Sequence, residues 1–522
     1  MARLHEYQSR ELLVQVGIPV PRGGVASTAE EARRISAELG GPVVVKAQAW
    51  VTGRAALGAI RFAADPGAAA EAAAAILHME LGGYPVERVL VVERLSLARE
   101  FYAGVIIDDQ ARAPVIIFSS RGGSGIEEIA REHPEAVARH TVDIRLGLRD
   151  FEARELARRA GLHGELLVKV GGVLPRLYEA ARRFDARAAE INPLALTEDG
   201  RLMAADCRFT IDDNAVFRQP ELGITFAREL DHPPTWLERV AWEVERGDYR
   251  GTFFFVQMAQ GFTQGEGFVG FHGAGGGGSM MSMDALEAQG LRPANFVDIS
   301  GNPPASKVYR AARIILSQPG IDGYFASGSG VASQEQYHSA RALVKAFLET
   351  PLTVPAVVRL GGNAEEQAIA ILQRAQPHLP APLEAYGKDD PPTFCATRLR
   401  ALIAQTPPPA AAQADYGPRP AANPYSFRTV TGGTVTLDHA RCRDCASKVC
   451  ISACAPQILS LQEDVPVLNI TREEAERGGC VECLACEVEC YFEGNQGGYV
   501  HLPIPGLDAV QHAERGGDSW RS

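Results

Sequence analysis

The chain has 522 residues, a length that suggests about three or four domains. Apolar residues make up 46% of the sequence, so sizeable hydrophobic cores are available and wholesale disorder is excluded. The net charge of −12 argues against nucleic acid or an anionic membrane as the main partner.

The first eight residues, Met1-Ala2-Arg3-Leu4-His5-Glu6-Tyr7-Gln8, predict a charged amphipathic helix without the apolar core of a signal peptide. No apolar run in the sequence reaches the roughly 18 residues needed to span a bilayer, so no membrane span is predicted. Together these two features predict a cytoplasmic protein.

The front of the chain alternates short apolar runs with helical segments. The run 42–46 predicts a buried strand that ends in Lys46, and the Gly-containing loop 51–58 follows it. A lysine at a strand end opposite such a loop can hold a triphosphate, because the loop's N–H groups approach the phosphates closely. An exposed charge at a strand end is the commoner meaning of this pattern. The other predicted elements are strands at 60–62, 88–93, 101–107 and 114–118, and helices at 66–82 and within 150–183.

The Asp199-Gly200 turn lies between two short apolar runs and predicts a β-hairpin. The first strand, 186–191, runs into Asn192, and the second ends at Asp206. We expect the hairpin to bring Glu190, Asn192 and Asp206 together as oxygen ligands for Mg²⁺ carried on a nucleotide phosphate. A surface hairpin with a polar tip is the alternative.

The middle of the chain alternates strands and helices, which predicts an α/β domain with a doubly wound parallel sheet. Two Gly-rich turns, 273–278 and 327–330, lie at strand ends before helices, and helix N-termini at this edge of a sheet bind anions. The predicted strands are 253–258, 296–299, 323–326 and 354–358, and the predicted helices are 279–289, 306–317, 334–348 and 364–375.

A Pro- and Ala-rich stretch at 406–424 predicts a semi-extended linker, and a Cys-rich region follows it. Eight of the ten cysteines lie there, in the runs Cys442-x₂-Cys-x₄-Cys-x₃-Cys454 and Cys480-x₂-Cys-x₂-Cys-x₃-Cys490. In a chain without an export signal this crowding indicates metal rather than disulfides. The second run has the two-cluster ferredoxin spacing, in which the fourth cysteine of each run serves the other cluster.

The ferredoxin pattern predicts two [4Fe–4S] clusters. Cluster 1 would use Cys442, Cys445, Cys450 and Cys490, and cluster 2 would use Cys454, Cys480, Cys483 and Cys486. The sequence departs from the pattern because four residues separate Cys445 from Cys450 and because Tyr491 replaces a proline. Tetrahedral zinc is the alternative. Cys207 and Cys395 lie outside the runs and are expected to be buried thiols.

Four motifs resemble the β subunit of succinyl-CoA synthetase, a member of the ATP-grasp superfamily. They are Leu4-His5-Glu6-Tyr7-Gln8, Val44-Val45-Lys46, Glu190-Ile191-Asn192-Pro193-Leu194 and Asp213-Asn214-Ala215-Val216-Phe217-Arg218-Gln219-Pro220. The similarity covers about the first 400 residues. It implies an ATP-grasp domain at 1–232 and a CoA-ligase-like, flavodoxin-type domain at 233–405. A linker at 406–428, a ferredoxin-like α+β domain at 429–510 and a tail at 511–522 complete the predicted organisation.

The resemblance also implies roles for individual residues. Mg²⁺ falls to Asn192 and Asp206, and Glu190 lies on the phosphoryl path as a catalytic residue. Nucleotide binding falls to Lys46, Gly53, Arg54, Ala55, Glu93, Ser96 and Glu100. Substrate binding falls to His272, Gly330, Val331 and Ala332.

The chain departs from the family both in the phosphate loop and in the turns that meet the acyl substrate. Ala55 and Ala56 stand where the family has a Gly and a Lys in the phosphate loop, which puts ATP affinity or rate in doubt. His272 stands where the family has an Asn, Ser333 stands where it has an Arg, and 300–304 replaces a run of glycines. These changes predict altered acyl specificity. His272 as a phosphoacceptor is an alternative to a structural or substrate-facing histidine.

The resemblance implies that the chain is half of an enzyme, because the family's phosphohistidine and CoA-binding domain belong to a separate α subunit. The expected reaction joins a small carboxylic acid to CoA with ATP and Mg²⁺, through an acyl phosphate and the histidine of an α-like partner. The chain's end is similar to small ferredoxins that accompany flavoprotein dehydrogenases, which indicates a flavoprotein or ferredoxin-dependent redox partner. An electron-transfer or scaffold subunit that binds nucleotide without turnover is the rival hypothesis.

Overall fold

The computed structural model describes residues 2–51, 53–81, 84–123, 125–224, 226–228, 232, 234–328, 330–406 and 416–507. The chain divides into two compact units, the first ending at Pro234 and the second beginning at Thr235. The predicted tail and residues 407–415 of the predicted linker lie outside the described residues. Within the described part of the chain, no helix is long and apolar enough to cross a membrane.

The first unit is built from antiparallel strands with helices packed on them. Its strands are β1 (Ala2–Arg3), β2 (Gly23–Ala26), β3 (Val43–Ala47), β4 (Ile60–Ala63), β5 (Glu80–Leu81), β6 (Tyr84–Pro85), β7 (Val89–Glu93), β8 (Leu97–Asp108), β9 (Ala113–Ser119), β10 (Val137–Thr141), β11 (Ala186–Thr197), β12 (Leu202–Ala204) and β13 (Cys207–Ile211). Its helices are α1 (Glu6–Gln15), α2 (Ala29–Leu39), α3 (Pro66–Leu77), α4 (Ile126–Glu132), α5 (Asp150–Arg159) and α6 (Gly164–Arg183).

Two sheets organise this unit. The smaller has the order β2-β7-β3-β4, and the larger has the order β1-β13-β11-β8-β9-β10 with β12 paired to β11. Helix α3 lies close against the smaller sheet because its inward positions are alanines, among them Ala69 and Ala73, which are fully buried. The Asp65 side chain caps this helix by accepting from the backbone N–H groups of Gly67 and Ala68.

The predicted N-terminal helix begins later than expected. Residues Ala2–Arg3 form a strand that pairs with β13, and the Leu4 N–H donates to the Phe209 carbonyl over 3.0 Å. The helix begins only at Glu6, where the Gln8 side chain accepts from the His5 N–H over 3.0 Å in a capping box. Pairing with a distant strand thus overrides the local helical pattern.

The predicted hairpin is confirmed, with a longer first strand than expected. Strand β11 continues to Thr197, and β12 pairs with it in the register Leu194 with Ala204. The pairing of β11 with β8 shifts between Ile191 and Leu194, at the Asn192-Pro193 step. The hairpin is therefore central to the larger sheet, with β8 and β13 on either side of β11.

The second unit contains a parallel sheet and a Cys-rich module, which we define as residues 416–507. The strands are β14 (Phe254–Gln257), β15 (Phe268–Ala274), β16 (Arg292–Pro293), β17 (Asn295–Asp298), β18 (Gly323–Gly328), β19 (Ala356–Arg359), β20 (Leu383–Tyr386), β21 (Pro424–Arg428), β22 (Thr434–Asp438), β23 (Leu459–Gln462), β24 (Val465–Leu468) and β25 (Gly498–His501). The helices are α7 (Trp236–Arg246), α8 (Gly276–Ala288), α9 (Ala305–Leu316), α10 (Tyr337–Glu349), α11 (Glu365–Ala375), α12 (Pro392–Gln405), α13 (His439–Arg443), α14 (Val449–Ser452), α15 (Arg472–Glu474) and α16 (Ala485–Glu493).

The large sheet of this unit has the order β14-β17-β15-β18-β19-β20. Its parallel strands follow the doubly wound order 2-1-3-4-5 when β15 is counted as the first strand, which is the flavodoxin-like arrangement. Strand β15 was not predicted from the sequence, because its two glycines and His272 interrupt the apolar pattern. Strand β14 also differs from the expectation, because it pairs antiparallel with β17 at the edge of the sheet.

The Cys-rich module has its own small sheet, with the order β21-β22-β25, and the hairpin β23-β24. Its core continues into that of the parallel sheet. Part of the predicted linker is ordered structure, because β21 (Pro424–Arg428) pairs with β22 and Tyr416 is buried against the Tyr491 ring. The described end of the linker region is therefore packed rather than extended.

Candidate functional site

A buried charged cluster in the first unit joins four side chains from separate parts of the sequence. Lys46 Nζ lies 2.6 Å from Glu6 Oε1 and donates to the Ala205 carbonyl over 2.8 Å. Arg54 binds the other Glu6 oxygen at 2.9 Å and the Asp206 carboxylate at 2.7 Å. Two cations and two carboxylates, on α1, β3, the following loop and the end of the hairpin, thus satisfy one another.

The electrostatics of this cluster follow from burial and pairing. Burial opposes the charge of Glu6, but Lys46 and Arg54 outweigh it and lower the pKa of the carboxyl group. For Lys46, burial is likewise outweighed by Glu6 and Asp206, and the pKa of the amine is raised. For Asp206, burial and the neighbouring Glu6 raise the pKa, with partial compensation from Lys46 and Arg54. The Asp206 side chain keeps 28% of its surface exposed, so it forms the accessible end of the cluster.

The three oxygen-bearing residues predicted from the hairpin lie near the middle of β11, where its pairing with β8 shifts. The Asn192 N–H donates to the Asp206 carbonyl over 3.0 Å, which makes these two residues neighbours across the hairpin. Asn192 Oδ1 accepts from the Gly123 N–H at 3.0 Å, and Glu190 accepts from the Tyr102 hydroxyl at 3.3 Å. Within the described residues, no group of three or more His, Cys, Asp or Glu side chains is arranged to hold a single metal ion.

The other residues predicted to bind nucleotide are spread along the same unit. Glu93 is held by Arg22, whose backbone N–H and Nε donate to its two carboxylate oxygens. The Gly53 backbone has φ +68°, a conformation that favours glycine, and Ala55 beyond it is exposed. Ser96 is exposed, and its carbonyl accepts from the Glu198 N–H at 3.0 Å. Glu100 lies beside Gly123, since a Cβ on that glycine would come within 2.6 Å of Glu100 Oε2.

Glu6 is the residue of this site whose role sequence analysis did not identify. It lies in the Leu4–Gln8 motif, so its presence was noted, but a carboxylate on the first turn of a helix also fits simple helix-dipole stabilisation. Only the fold shows that its two oxygens face Lys46 and Arg54, which are 40 and 48 residues away.

His272 lines a pocket at the carboxyl ends of β15 and β18 in the second unit. The ring is buried, and its Nδ1 is hydrogen bonded to the Tyr324 hydroxyl. Burial lowers the pKa of the imidazole to about 3, so the ring is neutral at physiological pH. The turn of Gly330, Val331 and Ala332 reaches the same pocket through Ala332, whereas Val331 is 82% exposed.

The predicted anion sites at the two Gly-rich turns differ from the expectation. Helix α8 begins at Gly276, directly after β15, but the Asp298 carboxylate accepts from the Gly275 N–H at 3.0 Å beside this N-terminus. The second turn does not lead into a helix at once, because α10 begins only at Tyr337, seven residues after Gly330. A protein carboxylate therefore lies at the first of these positions, and the second is a loop.

The eight cysteines of the Cys-rich module form two neighbourhoods in space. Burial and the nearby sulfurs of Cys490, Cys450 and Cys445 raise the pKa of the Cys442 thiol to about 12. Burial and the sulfurs of Cys483 and Cys454 act in the same direction on Cys480. Cys454, Cys480, Cys483 and Cys486 line one cavity. Cys450 is also a neighbour of Cys486, so the two neighbourhoods adjoin.

The backbone around the first neighbourhood approaches its sulfurs closely. A Cβ on Gly497 would lie 3.1 Å from Cys442 Sγ, and one on Gly494 would lie 3.2 Å from Cys490 Sγ. Glycines at these two positions leave room that side chains would fill. Cys207 and Cys395 are buried away from the runs, as predicted, and burial raises the pKa of both thiols.

Buried ion pairs fasten the Cys-rich module to α10. Lys345 Nζ lies 2.7 Å from Glu349 on the same helix and 2.7 Å from Glu487 of α16. Arg341 Nε, one turn earlier, lies 2.8 Å from Glu489. The Lys345 side chain is fully buried, and the Tyr499 hydroxyl of β25 donates to Glu349 over 2.9 Å. Ser339 and Leu343 of α10 line the His272 pocket, so one helix separates that pocket from the cysteine-bearing α16.

The first unit contains an ATP-grasp domain. The sequence matches the family described as ATP-grasp domain over residues 3–196. Among solved structures, the chain is similar to ATP citrate lyase from Methanothrix soehngenii in complex with citrate and coenzyme A. The TM-score is 0.62 and the identity 19%, over 77% of this chain and 99% of that chain. At this identity the similarity shows the fold.

The sequence relatives identify the family. The chain is 42% identical over 370 residues to the succinate–CoA ligase [GDP-forming] subunit β of Thermus thermophilus, covering 71% of this chain and 93% of the relative. It is 39% identical over 376 residues to the [ADP-forming] subunit β of Chloroflexus aurantiacus, covering 72% and 94%. The chain belongs to the succinate–CoA ligase β-subunit family of acid–thiol ligases, as its motifs predict.

Proposed function

We propose that this chain is the β-like subunit of an ADP-forming acyl-CoA ligase that carries a fused two-cluster electron-transfer module. The observation that carries the ligase part is the Glu6–Lys46–Arg54–Asp206 cluster, built at the edge of the hairpin in a chain of this family. Its cations and its accessible carboxylate are the groups that a magnesium-bound triphosphate requires.

In the proposed reaction, Lys46 and Arg54 turn from Glu6 and Asp206 towards phosphate oxygens when ATP binds. Asp206 and Asn192 would hold the magnesium ion, which neutralises charge on the phosphates during transfer. Glu190, two residues before Asn192 on β11, would lie beside the path of the transferred phosphoryl group. Exposed Ala55 and Ala56 add no cation there, so Lys46 and Arg54 supply the positive charge of this region.

An α-like subunit completes the proposed enzyme. The phosphoryl group would pass from ATP to a histidine of that partner, releasing ADP, and then from the histidine to the carboxylic acid. CoA, bound by the same partner, would attack the resulting acyl phosphate, form the thioester and release phosphate. His272 is an unsuitable phosphoacceptor because it is buried and hydrogen bonded to Tyr324. A small carboxylic acid would enter at the His272 pocket, at the carboxyl edge of the parallel sheet where ligands bind in folds of this kind.

Two [4Fe–4S] clusters are the groups that the eight cysteines of the module fit best. Support comes from the ferredoxin spacing of the second run, the two spatial neighbourhoods and the glycines next to Cys442 and Cys490. Clusters of this kind supply one-electron transfer. The buried pairs between α10 and α16 hold this module against the helix that lines the acyl pocket, which favours a link between thioester chemistry and a redox partner.

Two observations favour a second candidate, an electron-transfer subunit that binds nucleotide without turning it over. The cations of the charged cluster are already neutralised by Glu6 and Asp206, and the phosphate loop carries Ala55 and Ala56. Nucleotide binding without phosphoryl transfer in the complete complex would establish this candidate.

The Asp206→Ala variant tests the ligase function. In the complex with its α-like partner, it should slow ATP-dependent phosphorylation of that partner roughly 100-fold, because a charge-stabilising group is lost from the transition state. Asp109→Ala, in an exposed turn of the same unit, is the matched control and should keep wild-type rates. Wild-type transfer by Asp206→Ala would contradict the assignment of Asp206.

A further inference from the structure

The pocket beside His272 lies at the point where the strand order of the parallel sheet reverses. Strands β15 and β18 are neighbours, and the connections that follow them cover opposite faces through α8 and α10. A crevice at the carboxyl ends of such a strand pair is where open α/β sheets bind ligands. About 30 Å³ of the pocket can hold the centre of a water molecule, and the pocket is partly open to solvent.

The described residues that line this pocket are uncharged. Apolar or glycine positions such as Ile299, Val308, Leu343 and Leu360 supply most of it. The polar lining side chains are those of neutral residues, namely His272, Ser327, Gln336 and Ser339. A carboxylate that entered this pocket would lose its water without meeting a cation from the lining, which is costly.

The two charged residues that end neighbouring strands are already engaged. Arg359, at the end of β19, donates to the backbone carbonyls of Gly328 at 2.9 Å, Lys388 at 3.1 Å and Asp390 at 2.5 Å. Asp298, at the end of β17, accepts from the N–H groups of Gly275 and Ser300. Neither residue is among the described residues that line the pocket, the Arg359 N–H groups already donate to three carbonyls, and Asp298 is negative.

His272 lines this pocket, and its ring has one unused hydrogen-bonding atom. Its Nε2 is buried and has no hydrogen-bond partner among the described residues. Tyr324 is fully buried, and in the described part of the chain its hydroxyl bonds to His272 Nδ1 and to no other acceptor. The hydroxyl proton therefore belongs to that bond, Nδ1 accepts it, and Nε2 carries the ring's own proton as a donor.

We propose that this pocket takes a short, uncharged acyl chain that offers one hydrogen-bond acceptor to His272 Nε2, rather than the charged end of a dicarboxylic acid. This inference rests on the proposed ligase function and names the substrate class of its acyl site. The reacting carboxylate stays at the open mouth of the pocket, and the remainder of the acid enters the uncharged interior. The changed residues at 272 and 300–304 would then both adapt the pocket to an uncharged acyl chain.

Three acids of the same backbone length separate the possibilities. Butyrate ends in a methyl group, succinamate in a neutral amide with a carbonyl acceptor, and succinate in a second carboxylate. With the purified complex, ATP and CoA, kcat/KM for butyrate and for succinamate should each exceed that for succinate by at least about tenfold, the scale of a poor pocket fit. A value for succinate within tenfold of either, or above it, would overturn the proposal.

The His272→Leu variant tests the hydrogen bond itself. It should lower kcat/KM for succinamate at least about tenfold more than it lowers kcat/KM for butyrate, because only succinamate uses the donor. His272→Gln keeps a neutral donor and should restore part of the succinamate activity. An equal loss for both acids in His272→Leu, with no recovery in His272→Gln, would show a structural role and overturn the assignment of this donor.

Equilibrium dialysis separates failure of this inference from failure of the ligase function. Labelled butyrate should bind the complex and resist displacement by succinate, whether or not any acid is converted to a thioester. Absence of turnover with retained butyrate binding would count against the ligase function and support the pocket. Displacement of butyrate by an equal concentration of succinate would overturn the pocket's proposed chemistry.

Discussion

At the scale of single residues, the Glu6 carboxylate holds two cations that come from different elements. Its side chain is 5% exposed and contacts Lys46 of β3 and Arg54 of the following loop. Removing one partner from a buried ionic cluster leaves the others uncompensated, which costs more than the cluster contributes in net stability. Glu6 therefore acts as a positioning residue that keeps both cations aimed at the hairpin.

The Glu6→Gln variant should destabilise the first unit by about 3–5 kcal/mol, because Lys46 and Arg54 would share only Asp206. Thermal and urea unfolding of the purified chain measure the effect. Glu11→Gln, on the exposed side of the same helix, is the matched control and should change stability by less than about 0.5 kcal/mol. Equal stability of the two variants would contradict the role of Glu6.

The stability difference between the wild type and Glu6→Gln should depend on pH in a defined direction. The pKa of Glu6 is lowered in the folded chain, so its contribution is complete above the ordinary glutamate value of 4.5 and is lost as pH falls through the lowered value. The stability gap between the wild type and Glu6→Gln should therefore be constant near neutral pH and close at strongly acidic pH.

Local motifs indicate some residues of the site and leave others hidden. Lys46, Arg54 and Asp206 carry strand-end, loop and hairpin signals, and the structure brings these three together. The pairing of Glu6 with Lys46 and the position of Asp298 beside α8 depend on contacts between distant segments. A single sequence carries no local signal for such contacts.

At the scale of elements, helices with clear periodicity lie within a few residues of their predicted bounds, as with α9 (Ala305–Leu316) and α11 (Glu365–Ala375). The central strand β15 was missed because glycines replace the side chains that would mark a strand. Gly270 and Gly273 are required there by packing, since a Cβ on Gly270 would lie 2.5 Å from Ile315 Cγ2. Tertiary packing thus removes the local pattern from which a strand is predicted.

The two cysteine runs make a prediction at the same scale. Wild-type chain purified without oxygen should hold about eight iron and eight sulfide. If the fourth cysteine of each run serves the other cluster, Cys442→Ser with Cys490→Ser removes one cluster and leaves about four iron. Cys442→Ser with Cys454→Ser would damage both clusters and leave little iron.

Iron and sulfide analysis, together with electron paramagnetic resonance, measures how many clusters each variant holds. The reverse pattern, in which the pair Cys442 and Cys454 leaves one intact cluster, would show that each run serves its own cluster. About two zinc ions per chain without iron would instead establish tetrahedral zinc sites and remove the electron-transfer module from the account.

At the scale of the whole molecule, the Cys-rich module is part of the second unit rather than a body on a flexible tether. Lys345 of α10 joins Glu349 to Glu487 of α16, and both carboxylates are buried beside it. The Lys345→Met variant should destabilise the unit by about 3–5 kcal/mol, because two buried carboxylates would lose their shared cation.

Thermal unfolding followed by circular dichroism measures this loss. Lys388→Met is the matched control, because its ion pair with Glu365 is 3.7 Å long and the lysine is half exposed, so the expected change is about 0–1 kcal/mol. Equal melting temperatures of the two variants would show that the ion pairs of α10 do not hold the module in place.

Dependence on a second subunit is the central claim of the proposed function. In this proposal the chain would supply a cluster for magnesium-bound nucleotide and a pocket for an acyl group, while the phosphohistidine and CoA domain would come from an α-like partner. The most direct measurement is ATP-dependent acyl-CoA formation by the chain alone and after addition of that partner, followed by chromatography of the CoA products. We expect no acyl-CoA from the chain alone and steady formation with the partner. Robust synthesis by the isolated chain would contradict it.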